Sequence, residues 1–270
     1  PHTGLAAKKA WFFFDKTYVC LGTNISSRMK NQVLTTVNQC LLNGEVTVSD
    51  ADGIHQQEQG SRLKKEVRWV VHDKVGYYFL KKENIILSNQ RTEGSWKIAN
   101  RQTTTPADII RQDVFSLSVD HGRSPNNSDY AYMVIPSSDP LSIEKQVEEE
   151  GVVILANCPD VQAVRHDGLN MAYAVFYKGG TLRVHDKIVV EMDSPGMLMM
   201  KYNDAGEILA LGVSDPTRFM KKLHLSVNQK IVGSAQENIQ TEWDEKQALT
   251  RIAVDLPQNE YAGKSVIYNK

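Results

Sequence analysis

The chain is poor in cysteine, which limits the covalent and metal chemistry open to it. Its 270 residues include only three cysteines, Cys20, Cys40 and Cys158, and none has CxxC spacing. They allow at most one internal disulfide and form no zinc or redox motif. Each lies in an apolar stretch, where a free buried thiol is the usual case. We therefore assign no chemistry to any of them.

The chain also lacks an excess of charge of either sign. Lysine and arginine number 31 and aspartate and glutamate 32, a net charge of -1. This balance removes the general electrostatic argument for a nucleic-acid or membrane-surface partner. Two locally basic stretches, 62–68 and 220–230, are interleaved with apolar residues at strand spacing, and we interpret both as solvated strand faces. We expect no nucleic-acid partner.

Long hydrophobic runs are missing as well. No stretch approaches the roughly 20 apolar residues needed to cross a bilayer, so we expect no membrane span. The first residues, PHTGLAAKK, contain neither an initiating methionine nor the apolar core of a signal peptide. Because both features are absent, we expect the chain to be a processed product or a part of something longer.

Motifs of the common cofactor and hydrolase sites are not found. No segment fits a P-loop, a dinucleotide fingerprint, a GxSxG elbow or an HExxH helix. The stretch DADG at 50–53 resembles the start of an EF-hand loop. That loop needs glycine at its sixth position, where this chain has His55. We expect neither a cofactor nor a metal site.

The sequence does contain a long series of short β-type segments. Runs rich in valine, isoleucine, tyrosine, phenylalanine and threonine are separated by glycine, aspartate, asparagine and proline, and helical periodicity is nearly absent. Two hairpins are predicted, with turns in the two HDK stretches 72–74 and 185–187, and Asp52-Gly53 predicts a further tight turn. The fold is therefore predicted to be all-β.

One short helix is predicted between two series of strands. In DPLSIEKQVEEEG, Asp139 can cap an amphipathic helix that stops at Gly151. Its apolar face is expected to consist of Leu141, Ile143 and Val147. We therefore place a domain boundary near residue 150, and the strand spacing favours sandwiches over a barrel.

Histidine and aspartate are adjacent at residues 72–73, 166–167 and 185–186. A metal phosphohydrolase uses such pairs, but it needs further histidine and aspartate ligands on a rigid scaffold. Each pair here stands at the end of a predicted strand, and both residue types are common in turns. We interpret the three pairs as turns.

The most unusual segment is SVDHGRSPNNSDYAYMVIP, residues 118–136. His121 and Tyr130 could act as base and acid, but no third orienting group accompanies them. The alternative is a β-connection in which Tyr130 and Tyr132 alternate along the following strand. We prefer this alternative and keep His121 and Arg123 as candidate surface contacts for a ligand.

The tryptophans are candidate sugar contacts, because an aromatic ring matches the apolar CH patch of a pyranose. Trp69 lies on the apolar face of a predicted strand and is expected in the core. Trp96 follows a polar loop and is the better candidate sugar contact. A strand position that covers the edge of the core is the alternative for Trp96.

The run WFFF at 11–14 raises the question of an aromatic binding platform. Neighbours on a strand alternate sides, so Trp11 and Phe13 share one face and Phe12 and Phe14 the other. The four aromatic side chains therefore cannot all face the same ligand. We therefore predict a strand covered on both faces.

Seven segments together resemble a known family. In chain order they are KKAWFFFDKTYVCLGTNI, TTVNQC, WVVHDKVGYYF, GSWKIAN, DHGRSPNNSDYAYMVIP, VQAV and SDPT. As an ordered set they resemble the β-rich C-terminal half of family 8 polysaccharide lyases, which include chondroitin AC, hyaluronate and xanthan lyases. The resemblance covers about residue 7 to about residue 225. The WFFFD and DHG…YAY forms look closest to the chondroitin AC lyases.

The resemblance implies an antiparallel β-supersandwich portion at 1–150 and a smaller C-terminal β-sandwich at 151–270. Family members begin with a large helical toroid and cleave by β-elimination at a uronic acid, where a base removes the C5 proton and a tyrosine protonates the leaving oxygen. The groups that do this belong to the toroid, with a supporting glutamate early in the supersandwich. The resemblance therefore implies no catalytic residue at any position of this chain.

Two functions follow as hypotheses. In the first, the chain is the non-catalytic C-terminal region of a periplasmic or secreted bacterial lyase. Its partners are then an acidic polysaccharide, chondroitin sulfate or hyaluronan, and the helical toroid of the same precursor. In the second, the chain is a free-standing module that binds acidic glycans through Trp96 or Arg123, or a purely structural β-sandwich without a ligand.

Overall fold

The computed structural model describes residues 4–231 and 237–270. Within them the chain forms twenty β-strands, two α-helices and two 3-10 turns, at Asp167–Leu169 and Asn259–Tyr261. Every strand pair in this described part is antiparallel. The all-β prediction is confirmed. The chain divides into two compact units, Pro1–Gln146 and Val147–Lys270.

The first unit is built on one nine-stranded sheet. Its strands are β1 (Ala6–Phe13), β2 (Tyr18–Ser26), β3 (Gln32–Leu41), β4 (Val46–Asp50), β5 (Gly53–Gln56), β6 (Gly60–His72), β7 (Val75–Gly94), β8 (Ile110–Arg123) and β9 (Ser128–Pro136). The main path runs β1-β2-β9-β7-β6-β4-β5, while β8 pairs with β7 and β3 pairs with β8. Helix α1 (Trp96–Ala99) lies between β7 and β8.

Strand β7 is the central element of this sheet because it changes partner along its length. Its first part, up to Phe79, pairs with β9, and its last part, from Ile85, pairs with β8. Side chains of both branches meet in one hydrophobic core, which includes Cys20, Phe79, Leu87, Phe115, Leu117 and Tyr132. The two branches of the sheet therefore share one core.

The predicted hairpin around 72–74 is confirmed. His72 pairs with Val75 across a two-residue turn in which Asp73 and Lys74 have φ of 47° and 62°. Two successive left-handed residues match the right-handed twist of the strands that they join. Trp69 is fully buried, as expected. The tight turn at Asp52-Gly53 also joins two paired strands, β4 and β5.

The predicted helix is present as α2 (Ile143–Glu150). Asp139 precedes it and accepts hydrogen bonds from the backbone N–H groups of Leu141 and Ser142, at 2.8 and 3.2 Å. Ile143 is fully buried, and Gly151 follows with φ of 58°. Leu141 is 97% exposed, so its assignment to the apolar face is wrong. The reason is that Leu141 lies in the capping turn before the helix.

The prediction that the 11–14 run is covered on both faces is wrong. Strand β1 is the edge of the nine-stranded sheet, and only one of its faces is buried, with Ala10 and Phe12 at 5% and 4% exposure. Trp11 and Phe13 on the other face are 53% and 66% exposed. Alternation assigned the faces correctly, but it does not indicate whether a second layer covers each face.

The second unit contains two sheets. The six-stranded sheet has the order β10 (Val152–Asn157), β11 (Val161–His166), β12 (Met171–Phe176), β15 (Gly196–Tyr202), β16 (Ile208–Ser214) and β20 (Val266–Asn269). The five-stranded sheet has the order β13 (Gly180–His185), β14 (Ile188–Met192), β17 (Lys222–Val227), β19 (Leu249–Asp255) and β18 (Ile239–Asp244). One core cluster contains residues of both sheets, as in a β-sandwich.

Candidate functional site

Trp96 lies at one end of β7 and β8, on the short helix α1. Ser95 caps this helix by accepting a hydrogen bond from the N–H of Lys97, at 3.2 Å. Trp96 is 62% exposed, so the alternative of a strand residue covering the core edge is wrong. Serine followed by a tryptophan is a weak helix signal, and this turn was not predicted. Its role as a sugar contact stays a prediction.

Arg123 and His121 lie at the opposite end of β8. Gly94, just before α1, pairs with Ile110 at the start of β8, and Arg123 is the last residue of that strand. Thirteen steps of about 3.3 Å correspond to about 40 Å of strand. The structure therefore brings His121 and Arg123 together but places Trp96 elsewhere, and one ligand-binding site cannot use all three.

His121 is held by hydrogen bonds on both ring nitrogens. Its Nε2 lies 2.9 Å from Thr35 Oγ1 and its Nδ1 lies 2.9 Å from Ser128 Oγ. Burial, with a further contribution from the nearby Lys9, lowers the pKa of His121. Its ring lies 6.1 Å from that of Tyr130, which is buried. A neutral histidine occupied on both nitrogens joins β3 to the β8–β9 connection, so the geometry favours a structural role.

The tyrosines of β9 form an aromatic row over β2. Tyr130 lies against Gly22, where an added Cβ would come within 2.0 Å of the tyrosine Cε1. The rings of Tyr130 and Tyr132 are 5.6 Å apart, and Lys9 Nζ lies 5.7 Å from the Tyr130 centroid. Burial raises the pKa of Tyr132 well above its ordinary value and that of Cys20 to about 11. Both groups are therefore protonated packing residues at neutral pH.

Arg123 contributes to a basic surface that we call the Arg123 end, defined by Arg28, Lys30 and Arg123. All three are exposed, and the Arg123 guanidinium donates to the carbonyl of Lys30 at 3.4 Å. A depression of about 590 Å³ beside them is lined by residues that include Arg28, Ser124 and Asn126. Arginine pairs well with planar anions such as carboxylates. This end of the first unit can therefore accommodate an anionic group.

Glu83 is a buried carboxylate that the sequence analysis missed. It is 8% exposed and lies where β7 has left β9 and has not yet paired with β8. The nearest cation is Lys81, whose Nζ is 3.5 Å from Glu83 Oε1 and which also pairs with Asp129. Burial raises the pKa of Glu83 to about 7, although Lys81 acts in the opposite direction. The sequence signal that could have located Glu83 is its spacing: it stands an even number of residues along β7 from the buried residues Tyr77, Phe79, Ile85 and Leu87.

A polar depression of about 620 Å³ lies on the outer face of the five-stranded sheet. Its lining contains the small residues Ser226 and Ala253, and larger charged side chains surround them. The carboxylates among these are Glu191, Asp193 and Glu242. The guanidinium of Arg251 is bound to Asp244 at 2.9 Å and to Gln247 at 2.7 Å. Three carboxylates lie here with the engaged Arg251 and with His224, whose Nδ1 is 3.6 Å from Asp193 Oδ2, so the lining is less suited to a polyanion than a basic surface is.

The described residues contain neither a metal-type cluster nor a membrane-type helix. Among residues 4–231 and 237–270, no three histidine, cysteine, aspartate or glutamate side chains are grouped so that they could hold a metal ion. No helix in the same ranges is long and apolar enough to span a membrane. The three cysteines are free thiols.

Two family models match the chain. The super-sandwich domain of polysaccharide lyase family 8 matches residues 2–147, and the C-terminal beta-sandwich domain of the same family matches residues 153–224. Chondroitinase-AC of Pedobacter heparinus is 34% identical over 265 residues, which are 98% of this chain and 35% of that protein. Xanthan lyase of Bacillus sp. is 27% identical over 231 residues, 79% of this chain and 24% of the relative.

A solved structure agrees with these matches. A chondroitinase AC lyase, studied in complexes with oligosaccharides, superposes with a TM-score of 0.82 at 35% identity and covers 98% of this chain. The match covers 36% of that enzyme, so the chain spans about a third of the length of such relatives. Sequence, domain order and fold thus agree over both units. The chain belongs to polysaccharide lyase family 8.

Proposed function

We propose that the chain is the non-catalytic C-terminal β-region of a glycosaminoglycan lyase that cleaves chondroitin or hyaluronan by β-elimination. In this proposal, residues 1–150 are part of the central supersandwich and residues 151–270 form the C-terminal sandwich. The observation that carries it is the match to both β-domains of family 8, in order, by a chain about a third as long as chondroitinase-AC. The protein acts in the periplasm or outside the cell, as the family resemblance implies.

The described residues support inactivity of the chain by itself. β-Elimination needs a base that can reach the C5 proton, a group that neutralises the carboxylate and an acid for the leaving oxygen. Both nitrogens of His121 are engaged by hydroxyls, and Tyr130 and Tyr132 are buried. Arg123 could neutralise a carboxylate, but no accessible histidine–tyrosine pair accompanies it in the part of the chain that the structure describes.

The exposed face of β1 favours a role of this β-region as a support for a neighbouring catalytic domain. Trp11 and Phe13 present large aromatic surfaces at the edge of the sheet, and the Phe13 ring stacks on Tyr18 with centroids 5.4 Å apart. Exposed aromatic surface on an edge strand favours further packing. We assign this edge to docking against the N-terminal helical toroid of the same precursor, with the β-region forming one wall of the substrate cleft.

A specific observation also favours the second hypothesis, a carbohydrate-binding module. Trp96 is 62% exposed and Arg123 is exposed beside a depression, as glycan contacts should be. The 40 Å of strand between them require that each belong to a separate site. A purely structural β-sandwich, without a ligand, remains the third alternative and predicts no glycan binding at all.

The proposal is tested by an ultraviolet assay for the unsaturated uronide product. The 270-residue chain is incubated with chondroitin sulfate and with hyaluronan, and chondroitinase-AC of Pedobacter heparinus is the positive control. We expect product from the control and none from the chain. Steady turnover by the chain would show that a catalytic site is complete within it and would overturn the proposal.

A further inference from the structure

Two neighbouring loops of the second unit present aromatic and cationic side chains to solvent. We call this surface the Phe219–Tyr261 platform and define it by Arg218, Phe219, Tyr261 and Lys264. Phe219 is 89% exposed and Tyr261 is 60% exposed. Exposed aromatic side chains rimmed by polar residues are a combination typical of interaction sites.

The first loop is held rigidly by a buried carboxylate. Asp215, 3% exposed, accepts hydrogen bonds at Oδ1 from the N–H and hydroxyl of Thr217, and at Oδ2 from the N–H groups of Phe219 and Met220, all at 2.6 to 3.0 Å. Burial by itself would raise the pKa of Asp215, but these bonds hold it below its ordinary value. The backbone of Phe219 is thus fixed while its side chain stays in water.

The second loop lies directly beside the first. Gly263 has φ of 91°, and an added Cβ there would lie 3.3 Å from Arg218 Cγ. The side-chain amide of Gln258 donates to the carbonyl of Met220 at 3.1 Å, and the N–H of Leu256 donates to the carbonyl of Lys221 at 2.8 Å. The two loops therefore pack side by side, with Arg218 of the first against Gly263 of the second.

The charges around the platform select its ligand. Arg218, Lys221 and Lys264 are exposed cations, and Lys264 Nζ lies 5.9 Å from the Tyr261 ring centroid. Lys222 is also exposed, but it pairs with Asp255 at 3.1 Å, and the second loop contributes the exposed carboxylate of Glu260. The surface therefore carries net positive charge, in contrast to the acidic depression on the outer face of the five-stranded sheet.

We infer that the Phe219–Tyr261 platform binds an acidic polysaccharide. Its aromatic rings can pack on sugar CH faces, while the guanidinium and ammonium groups pair with carboxylate or sulfate groups. A polymer that alternates apolar ring faces with anionic groups fits this combination of side chains. The inference gives the second unit a ligand-binding site of its own, and it rests on the proposed function for the choice of polysaccharide over other polyanions.

The test is affinity electrophoresis of the full 270-residue chain in native gels that contain chondroitin sulfate. We expect retardation that weakens with added salt, because the contacts are partly ionic and exposed. The double variant Phe219→Ala/Tyr261→Ala should raise Kd about tenfold or more. The double variant Arg218→Gln/Lys264→Gln should weaken binding similarly. Both pairs are exposed, so circular dichroism should show unchanged folding.

The matched controls remove the same side-chain types elsewhere. Trp11→Ala deletes an exposed aromatic and Arg91→Gln deletes an exposed arginine, both in the first unit and outside its candidate glycan contacts. Both should bind like the unaltered chain, and gels with neutral dextran should give no retardation. The inference is wrong if the unaltered chain is not retarded by chondroitin sulfate, or if the platform variants are retarded as strongly as the unaltered chain. It is equally wrong if only the control variants lose binding.

These results are independent of the turnover assay. Turnover would overturn the claim of a non-catalytic region without changing retardation at the platform. Lack of retardation would remove the platform as a glycan site and leave the chain inactive, as proposed.

Discussion

Glu83 should make the stability of the first unit depend on pH near neutrality. Burial raises its pKa to about 7 from an ordinary value of 4.5. Between these two values the folded state binds more protons than the unfolded state, so stability is lost as the pH rises from 4.5 through 7. The difference corresponds to about 3 kcal/mol of unfolding free energy at pH 8. The physical cause is a carboxylate at 8% exposure whose nearest cation lies 3.5 Å away.

The substitution Glu83→Gln removes this ionisation while it keeps the shape of the side chain. At pH 4.5 the variant and the unaltered chain should unfold at similar temperatures. At pH 8 the variant should be more stable by about 3 kcal/mol, or about 6–12 °C in Tm for a unit of this size. Differential scanning calorimetry across this pH range measures the effect directly. The other titratable groups are the same in both proteins, so their contributions cancel when the difference in Tm between variant and unaltered chain is taken at each pH.

Glu93→Gln is the matched control, because Glu93 lies on the same strand with its side chain 57% exposed and paired with Arg111. Its effect on Tm should be small, because an exposed ion pair contributes little to stability. The reasoning about Glu83 is refuted if Glu83→Gln changes Tm equally at pH 4.5 and pH 8. It is also refuted if the variant is less stable at pH 8, since the ionised carboxylate would then be stabilising.

Two packing predictions accompany it. Gly22→Ala should lower the free energy of unfolding in urea by about 1–3 kcal/mol, because the new Cβ meets the Tyr130 ring at 2.0 Å. Gly212→Ala is the control: its nearest contact is at 3.5 Å, and it should change stability by less than about 0.5 kcal/mol. Equal effects of the two substitutions would contradict the close approach of Tyr130 to Gly22. Trp69→Ala should cost about 3–5 kcal/mol in thermal unfolding, because it opens a cavity at a fully buried site and removes the donor to Glu144. A loss below about 1 kcal/mol would contradict that burial.

Much of the fold could be predicted from local sequence patterns. The period-2 alternation and the HDK turns located hairpins such as β6–β7 and β13–β14, because turn chemistry and strand parity are local properties. The helix after Asp139 was predicted by its cap. The partner change of β7 was not predictable, because pairing over such sequence separations leaves no local signal.

The errors have a common physical cause. Parity correctly separates Trp11 from Phe12, but burial depends on whether another layer lies over that face, and β1 is an edge strand. Trp96 and Arg123 were weighed as contacts for one kind of ligand, although the 14-residue strand β8 holds their surroundings far apart. Phe219 was overlooked because nothing in its neighbours indicates that a buried Asp215 fixes its loop in place.

The central claim is that this chain is the non-catalytic β-region of a family 8 lyase. The most direct measurement is the ultraviolet lyase assay on chondroitin sulfate, with the chain at a concentration equal to that of the polysaccharide chains. Even one turnover per molecule is then visible, and Pedobacter heparinus chondroitinase-AC shows that the substrate is competent. We predict no unsaturated uronide from the chain above the buffer control. Product that increases in proportion to chain concentration would contradict the claim.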